Sequence, residues 1–517
     1  MRYILSIFLV LIISFSFGQH LNIRVDNPNV TSNPNEPSIM MNPSNPDRII
    51  AGSNLNYYYI SEDGGYNWES HTLTSSSYGV WGDPCIVADT EGSFYYMHLS
   101  NPPSGSWIDR IVCQKTTDLG ETWNEGSYAG LNGTKAQDKE WATIDRSNDN
   151  IYMTWTQFDE YGSSNSADST VIMFSKSTDG GASWYDAKRI NKTAGNCVDS
   201  DNTVEGAVPA VGPEGQIYVA WTGPEGIVFD KSLDQGETWL DNDIQISEQP
   251  GGWDQEVSGI SRCNGLPVTC CDTSGGIYDG NIYVNWTDQR NGEDDIDVFL
   301  AKSADGGETW SEPVRVNDDP PGSQQFFTWM TVDQTNGNLW FVFYDRRNYD
   351  NRNTDVYMAV SEDGGEAFTN FKVSEEPFYP SSSIFFGDYT NIVAHNDIIR
   401  PIWARLDSEQ SIMTAIVDIT AVGVEQPAFP LAINAAYPNP FNTSITVAFE
   451  QKGKSRVNIS LHTLQGQRVA VLADRFFDPG EHVERFDPSK YNLAEGVYYL
   501  KLVNAFDVSI KKLIYRR

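Results

Sequence analysis

Basic residues are scarce: 35 Lys and Arg stand against 70 Asp and Glu in 517 residues, a formal charge of −35. That deficit excludes the Lys/Arg stripes that nucleic-acid phosphates require, so no nucleic-acid partner is expected. Histidine is scarcer still, with six scattered copies, and no His-based metal site is expected. The six cysteines, Cys85, Cys113, Cys197, Cys263, Cys270 and Cys271, contain no spaced CxxC pair, which removes the usual zinc arrangement. No Ser-His-Asp elbow, phosphate loop or dinucleotide motif is present. Beyond residue 18 no apolar run reaches the roughly 18 residues needed to cross a bilayer, so no transmembrane segment is expected in the mature chain.

What is abundant points to β-structure. Aromatics make up 12% of the chain beside 42 Gly and 25 Pro, the composition of many short strands joined by tight turns. Residues 1–18 carry Arg2, an apolar stretch from Ile4 to Phe17, and small residues Ser16 and Gly18 before Gln19. This is the pattern of a cleaved export signal. In an exported chain the cysteines suggest disulfides. Cys85 and Cys113 fall on strands two positions apart and should not bond, whereas Cys197 and Cys263 lie in loops that could meet.

One octet recurs six times: SEDGGYNW at Ser61, TTDLGETW at Thr116, STDGGASW at Ser177, SLDQGETW at Ser232, SADGGETW at Ser303 and SEDGGEAF at Ser361. Its Asp can accept backbone N–H groups inside a turn, its Gly can take positive φ, and its aromatic ring can bury beside the turn. Around each octet the same four alternating strands recur, among them IYMTW, IYVAW, IYVNW and LWFVF as second strands. Units of this length with four strands each predict a β-propeller. A seventh unit without an octet spans FGDYTNIVAH, IIRPIWARL and SIMTAIVDI and lacks its fourth strand. LNIRVDN, residues 21–27, resembles the fourth strands elsewhere. The expected fold is therefore all-β: a seven-bladed propeller closed by the N-terminal strand, with six blades as the alternative.

The octets resemble the Asp-box (BNR) repeats of the sialidase-like superfamily over residues 33–368. That resemblance implies the propeller fold, in a superfamily holding both glycosidases and non-catalytic receptors. The tail after a linker at 423–436 also carries a resemblance. Pro438-Asn439-Pro440-Phe441, the Leu464-Gln465-Gly466 turn and Leu493–Tyr499 are similar to the C-terminal sorting domain of type IX secretion substrates in Bacteroidetes. This implies an Ig-like sandwich over 437–517, the type IX machinery as a partner, and a secreted or outer-membrane cell-surface location. The propeller is then expected over 19–422.

In a propeller the octets lie on one face, and the loops that enter each blade form the other. Acidic residues recur where the innermost strands begin, at Glu36, Asp83, Glu140, Glu205 and Asp388, with Tyr389 beside the last. They are expected to converge as a carboxylate-lined mouth that binds a neutral sugar or a cation. Asp288-Gln289-Arg290 and Asp345-Arg346-Arg347 could clamp a ligand through Arg290 and Arg347, or form salt bridges between loops. NGEDDID and DNRNTD offer oxygen atoms for Ca²⁺ without the spacing of an EF-hand, and no other cofactor is expected. The arginine triad and Arg-Ile-Pro motif of sialidases have no counterpart; Arg48-Ile49-Ile50 lacks the proline. The expected function is recognition of an extracellular glycan or glycoprotein without sialidase activity. The alternative is hydrolysis of a neutral or sialylated glycan by carboxylates such as Glu205, Glu256 and Asp388.

Overall fold

The structure, a computed structural model, describes residues 20–419, 432–451, 455–463, 468–491, 493–503 and 508–516. The expected export signal, most of the linker and the Leu464-Gln465-Gly466 turn lie outside these residues. Among the described residues there is no α-helix.

The first 400 described residues form a series of antiparallel sheets, each built on four strands in chain order. The first sheet is Ser38–Met41, Ile49–Ser53, Tyr57–Ser61 and Glu69–Thr72. Sheets two to six repeat this order, with innermost strands Cys85–Ala88, Ala136–Asp145, Glu205–Val211, Val268–Cys271 and Gln325–Val332. The seventh runs Asn391–His395, Ile398–Leu406 and Gln410–Ile416, and its fourth strand is Leu21–Arg24, paired Leu21↔Ile416 through Arg24↔Met413. Asp26 extends that join by accepting the Ile412 N–H at 2.7 Å. Each innermost strand packs against the innermost strand of the next sheet, and Asn391–His395 packs against Ser38–Met41. The middle strands are buried along their length, and Trp155, Trp221, Trp286, Trp340 and Trp403 are among the largest enclosed side chains. Strands covered on both faces explain why these runs read as nearly continuous apolar stretches.

The six octets form one repeated turn. In the octet at Ser232, the Ser232 hydroxyl donates to Asp234 Oδ1 at 2.8 Å and accepts the Gly236 N–H at 2.8 Å. Asp234 Oδ1 also accepts the Thr238 N–H at 2.8 Å, and its other oxygen takes the Thr238 hydroxyl at 2.6 Å. The same set recurs at Thr116/Asp118/Thr122 and Ser303/Asp305/Thr309. These turns do more than hold a hairpin. Lys176 of the third sheet donates to Gln235 O, Lys231 of the fourth to Gly306 O, Lys302 of the fifth to Gly364 O, and Arg400 of the seventh to Gly64 O, all at 2.6–2.9 Å. Each acceptor is the carbonyl just before the glycine at the octet's fifth position. At one of these, Gly236, a Cβ would lie 2.2 Å from the Phe174 ring of the preceding sheet, and φ is +83°. Only glycine allows that approach. Four of the six octets therefore staple their own sheet to a neighbouring one in this way.

The tail forms two antiparallel sheets: Ala432–Tyr437, Ile445–Gln451 and Gly480–Phe486, then Arg468–Phe477, Ser455–His462, Gly496–Val503 and Val508–Tyr515. They share one core that includes Val447, Phe449, Ile459, Leu461, Leu500 and Leu513. Ala432–Tyr437, which begins within the stretch 423–436 read as linker, pairs with Ile445–Gln451.

The cysteine expectation is corrected. All six thiols are free, and five are buried in the sheets and loops. Cys197 donates to Ser169 O and Cys270 to Met330 O at 3.2–3.3 Å, while Cys85 accepts the Ala142 N–H. They act as small core side chains with backbone partners.

Candidate functional site

A bulge at the head of several innermost strands aims the side chains of the site. Pairing slips between Asp138 and Trp141, between Glu205 and Val208, and between Phe326 and Trp329. Lys139, Gly206 and Phe327 at those slips have positive φ, as do Glu36, Asp83 and Gly387 at the heads of other sheets. A bulge bends the strand and redirects the extra residue. Glu36, Asp83 and Lys139, from three different sheets and all with positive φ, meet at one mouth. Just inside it the rings of Trp141, Trp329 and Tyr389 meet at centroid distances of 4.4–6.3 Å.

Asp388 is the electrostatic hub. Lys139 Nζ lies 3.0 Å from its Oδ2 and 3.7 Å from Asp83. Arg262 donates through Nε to Asp388 Oδ1 at 3.0 Å and through a second nitrogen to Oδ2. Asn264 Nδ2 donates to the Asp388 carbonyl. Arg262 and Asn264 come from a two-stranded hairpin, Asp254–Gln255 with Cys263–Asn264, that lies between the fourth and fifth sheets in sequence. Burial opposes a charge on Asp388, but Lys139 and Arg262 overcome it and hold this carboxyl well below its ordinary range.

The neighbouring carboxyls shift the other way. Burial, reinforced by Asp83, raises Glu36 far above its ordinary value and pushes Asp138 up to about 7. Glu140 and Glu205 are raised by burial first, then by Asp83 and Asp199 respectively. Glu36, Asp83, Asp138, Lys139 and Arg262 line a cavity of about 500 Å³ whose other wall is Trp81, Trp107, Tyr161 and Phe385. Trp107 stands edge-on to both Trp81 (5.7 Å, 89°) and Tyr161 (5.3 Å, 85°), forming a ring corner, and is 43% exposed. Glu36 is 2% exposed, and its carboxyl has no hydrogen bond or ion pair among the described residues. A larger space of about 830 Å³ follows the innermost strands, its walls mixing aliphatic positions such as Val87, Val208 and Val268 with polar ones such as Asp145, Arg146 and Gln334. A groove of about 560 Å³ lies against the first two octets, where Asp63 and Asp118 are already saturated with hydrogen bonds.

Of the residues singled out from sequence, Glu36, Asp83 and Asp388 come together. Tyr389 lies behind them, 6% exposed, its ring 5.0 Å from Lys139 Nζ. Glu140 is turned away from the cavity, with both carboxyl oxygens buried and unpartnered. Glu205 is buried near Asp138 without lining the cavity. Glu256 is exposed on the hairpin. Arg290 and Arg347 each fold back on the Asp two residues earlier, Asp288 and Asp345, and lie over Phe299 or Tyr357. Both also reach a second loop: Arg290 donates to Ser247 Oγ at 3.1 Å and Glu248 O at 3.3 Å, and Arg347 forms the expected salt bridges between loops with Asp318 at 2.5 Å and Asp319 at 3.7 Å. In NGEDDID, Asp295 accepts the Gly322 N–H and Asp297 binds Asn291 and Asn317, so these oxygens already have protein donors. Among the described residues no group of three or more His, Cys, Asp and Glu is arranged to hold a metal ion. Lys139, Arg262, Asp138 and Trp107 were not singled out from sequence. The run Asp138-Lys139-Glu140 was the available signal, and only its third residue had been chosen.

A comparison with curated proteins returns no match. Among solved structures the chain is similar to the Hadza microbial sialidase Hz136 at 15% identity, covering 72% of this chain and 74% of that one, with a TM-score of 0.42. It is similar to the NanB sialidase from Streptococcus pneumoniae at 9% identity (72% and 84% covered, TM-score 0.43). It is also similar to the α-L-arabinofuranosidase Arb93A from Fusarium graminearum at 10% identity (65% and 92% covered, TM-score 0.43). The tail is identified by family: residues 435–516 match the secretion system C-terminal sorting domain, which implies the type IX secretion machinery and export to the cell surface or medium.

Proposed function

We propose that the chain is exported after loss of residues 1–18, forms a ring of seven blades closed by Leu21–Arg24, and binds an extracellular glycan in the mouth opposite the octets. The cyclic run of contacts between innermost strands and the pairing of Leu21–Arg24 with the seventh sheet support the ring. In this reading the propeller spans 19–422 and an Ig-like sorting sandwich follows.

One observation carries the glycan reading. A cavity of about 500 Å³ joins a half-exposed Trp107 ring to a buried, unpartnered Glu36 carboxyl. An aromatic face suits the C–H side of a sugar, and a buried polar group without a partner favours a ligand that supplies one. The volume falls within the usual range for small-ligand sites, about 300–1,000 Å³. Sialic acid does not fit this reading. The two cations that line the cavity, Lys139 and Arg262, are both engaged by Asp388, so neither is free to pair with a sialic-acid carboxylate.

A second reading, glycoside hydrolysis, is favoured by Asp138. A carboxyl that titrates at about 7 can donate a proton near neutrality, and the Lys139-paired Asp83 supplies the second carboxylate the reaction requires. The test uses the full exported chain on a glycan array and on a panel of neutral and sialylated substrates. Binding that disappears in Trp107→Ala, without turnover, supports recognition. Turnover abolished by Asp138→Asn supports hydrolysis, and binding to no glycan in either format rejects both.

A further inference from the structure

We infer that the cavity takes the protonated amine of an amino sugar, seated between the Glu36–Asp83–Asp138 carboxyls and the Trp81–Trp107–Tyr161 ring corner. This rests on the glycan reading above and narrows it to a charged class of sugar.

The argument begins with what the two cations at the mouth are doing. Lys139 and Arg262 both bond to Asp388, and Arg262 also approaches Asp199 at 3.6 Å. Their charges are matched by carboxylates already present. Glu36 and Asp138 have no cationic partner within salt-bridge distance among the described residues, and Asp83 has only the 3.7 Å contact to Lys139. The cavity therefore presents more acid than base to whatever enters it. A neutral hydroxyl or N–H donor can bond to the Glu36 carboxylate but brings no charge to balance it. A ligand carrying an ammonium group supplies that charge together with the bond, the stronger of the two pairings.

The opposite wall fits the same group. Trp81, Trp107 and Tyr161 meet nearly at right angles, so two π-faces border one corner. Ammonium groups are attracted to such faces, and desolvation strengthens the contact. The ring carbons of the sugar can rest on the half-exposed Trp107 while its amine points inward to Glu36. N-acetylation would remove the charge and add bulk at the same atom, so this site separates amino sugars from their acetylated forms. Attraction to the acidic protein as a whole would not make that distinction at the level of single cavity residues.

The experiment is calorimetric titration of the full exported chain at pH 6 in 150 mM salt, where surface charge is largely screened. The probes are the glucosamine disaccharide, its N-acetylated form, a glucose disaccharide and Nα-acetyl-lysine methylamide. The expected result is at least about tenfold tighter binding of the free amino sugar than of the acetylated or neutral sugars, a step of about 1.4 kcal/mol. Glu36→Gln should remove most of that preference, and Trp107→Ala should weaken binding of the amino sugar without unfolding a half-exposed position. Equal affinity for free and acetylated forms overturns the inference while leaving glycan recognition in place. Equal affinity for the lysine amide and the amino sugar also overturns it, because the amine would then be read without its ring. Retention of the preference in both variants assigns it to the surface at large and overturns the site. Binding of no sugar at all removes the glycan reading with it.

Discussion

Two sets of carboxyls on this molecule behave in opposite ways. Those of the octets sit at half-exposed turns, each within reach of several donors, and are held below their ordinary values. Asp118 and Asp305 are lowered by their Thr122 and Thr309 partners, and at Asp234 slight burial is outweighed by Thr238, bringing it down to about 2. Around the mouth Glu36, Asp138 and Glu140 are enclosed, short of donors, and raised, whereas Asp388 is lowered. The octet carboxylates are satisfied by the six residues around them and have nothing left to offer a ligand. The mouth carboxyls depend on residues far away in sequence, and some have no protein partner. Repetition marks the first set, and lack of satisfaction marks the second.

The largest expected effect comes from the exception. Asp388→Ala leaves the buried Lys139 with only its 3.7 Å contact to Asp83 and Arg262 with only its 3.6 Å contact to Asp199, and removal of one member of a buried pair typically costs about 3–5 kcal/mol. Denaturant unfolding of the full chain measures it. A cost below about 1 kcal/mol would mean that the mouth is as tolerant as an exposed turn, and the contrast between the two sets would disappear.

A second prediction uses pH to separate them. Asp138 holds its proton up to about 7 in the folded chain, whereas the unfolded chain releases it near 4. Between those values the folded state binds more protons, so stability falls as pH rises through the window. Asp234, lowered to about 2, has the reverse sign: its contribution is present above pH 4 and is lost as pH falls toward 2. Asp138→Asn should flatten the decline between about pH 4 and 7 by a few kcal/mol and leave the acid limb unchanged. Thermal or urea unfolding across pH 2–8 reads both limbs, and a variant whose acid limb moves instead would contradict the assignment.

The same division explains what could be read from the sequence. An octet is local: its hydrogen bonds join residues two to four positions apart, so composition and spacing reveal its work. The strands around it are legible for the same reason, through their period. The mouth is not local. Lys139 meets Asp388 across 249 positions and Arg262 meets it across 126, so their proximity follows from the order of the sheets and from where a long hairpin lands. Within Asp138-Lys139-Glu140, simple alternation cannot say which side chain faces the mouth. A bulge with positive φ at Lys139 decides it, and that bulge turns Glu140 away. The staples between sheets were hidden likewise, because Lys231 and Gly306 carry no mark of their pairing until the sheets are adjacent.

The smallest effect is expected where the sequence signal is strongest. Asp179→Ala removes the acceptor of the Ser177 hydroxyl at 2.8 Å, of the Ser183 N–H at 2.9 Å and of the Ser183 hydroxyl. The Ser183 donors are exposed, so water can replace their lost acceptor, while the Ser177 hydroxyl is buried. The Gly181 N–H keeps its bond to Ser177 Oγ, so the turn retains part of its framework. The cost should therefore be about 1 kcal/mol, the net worth of hydrogen bonds exchanged with solvent and not the penalty of stranding a buried charge. Amino-sugar affinity should stay within about twofold, since the turn lies on the face away from the mouth. If Asp179→Ala instead lowered that affinity as much as Trp107→Ala does, the repeated turns would belong to the binding site, and a motif written six times would carry chemistry as well as construction.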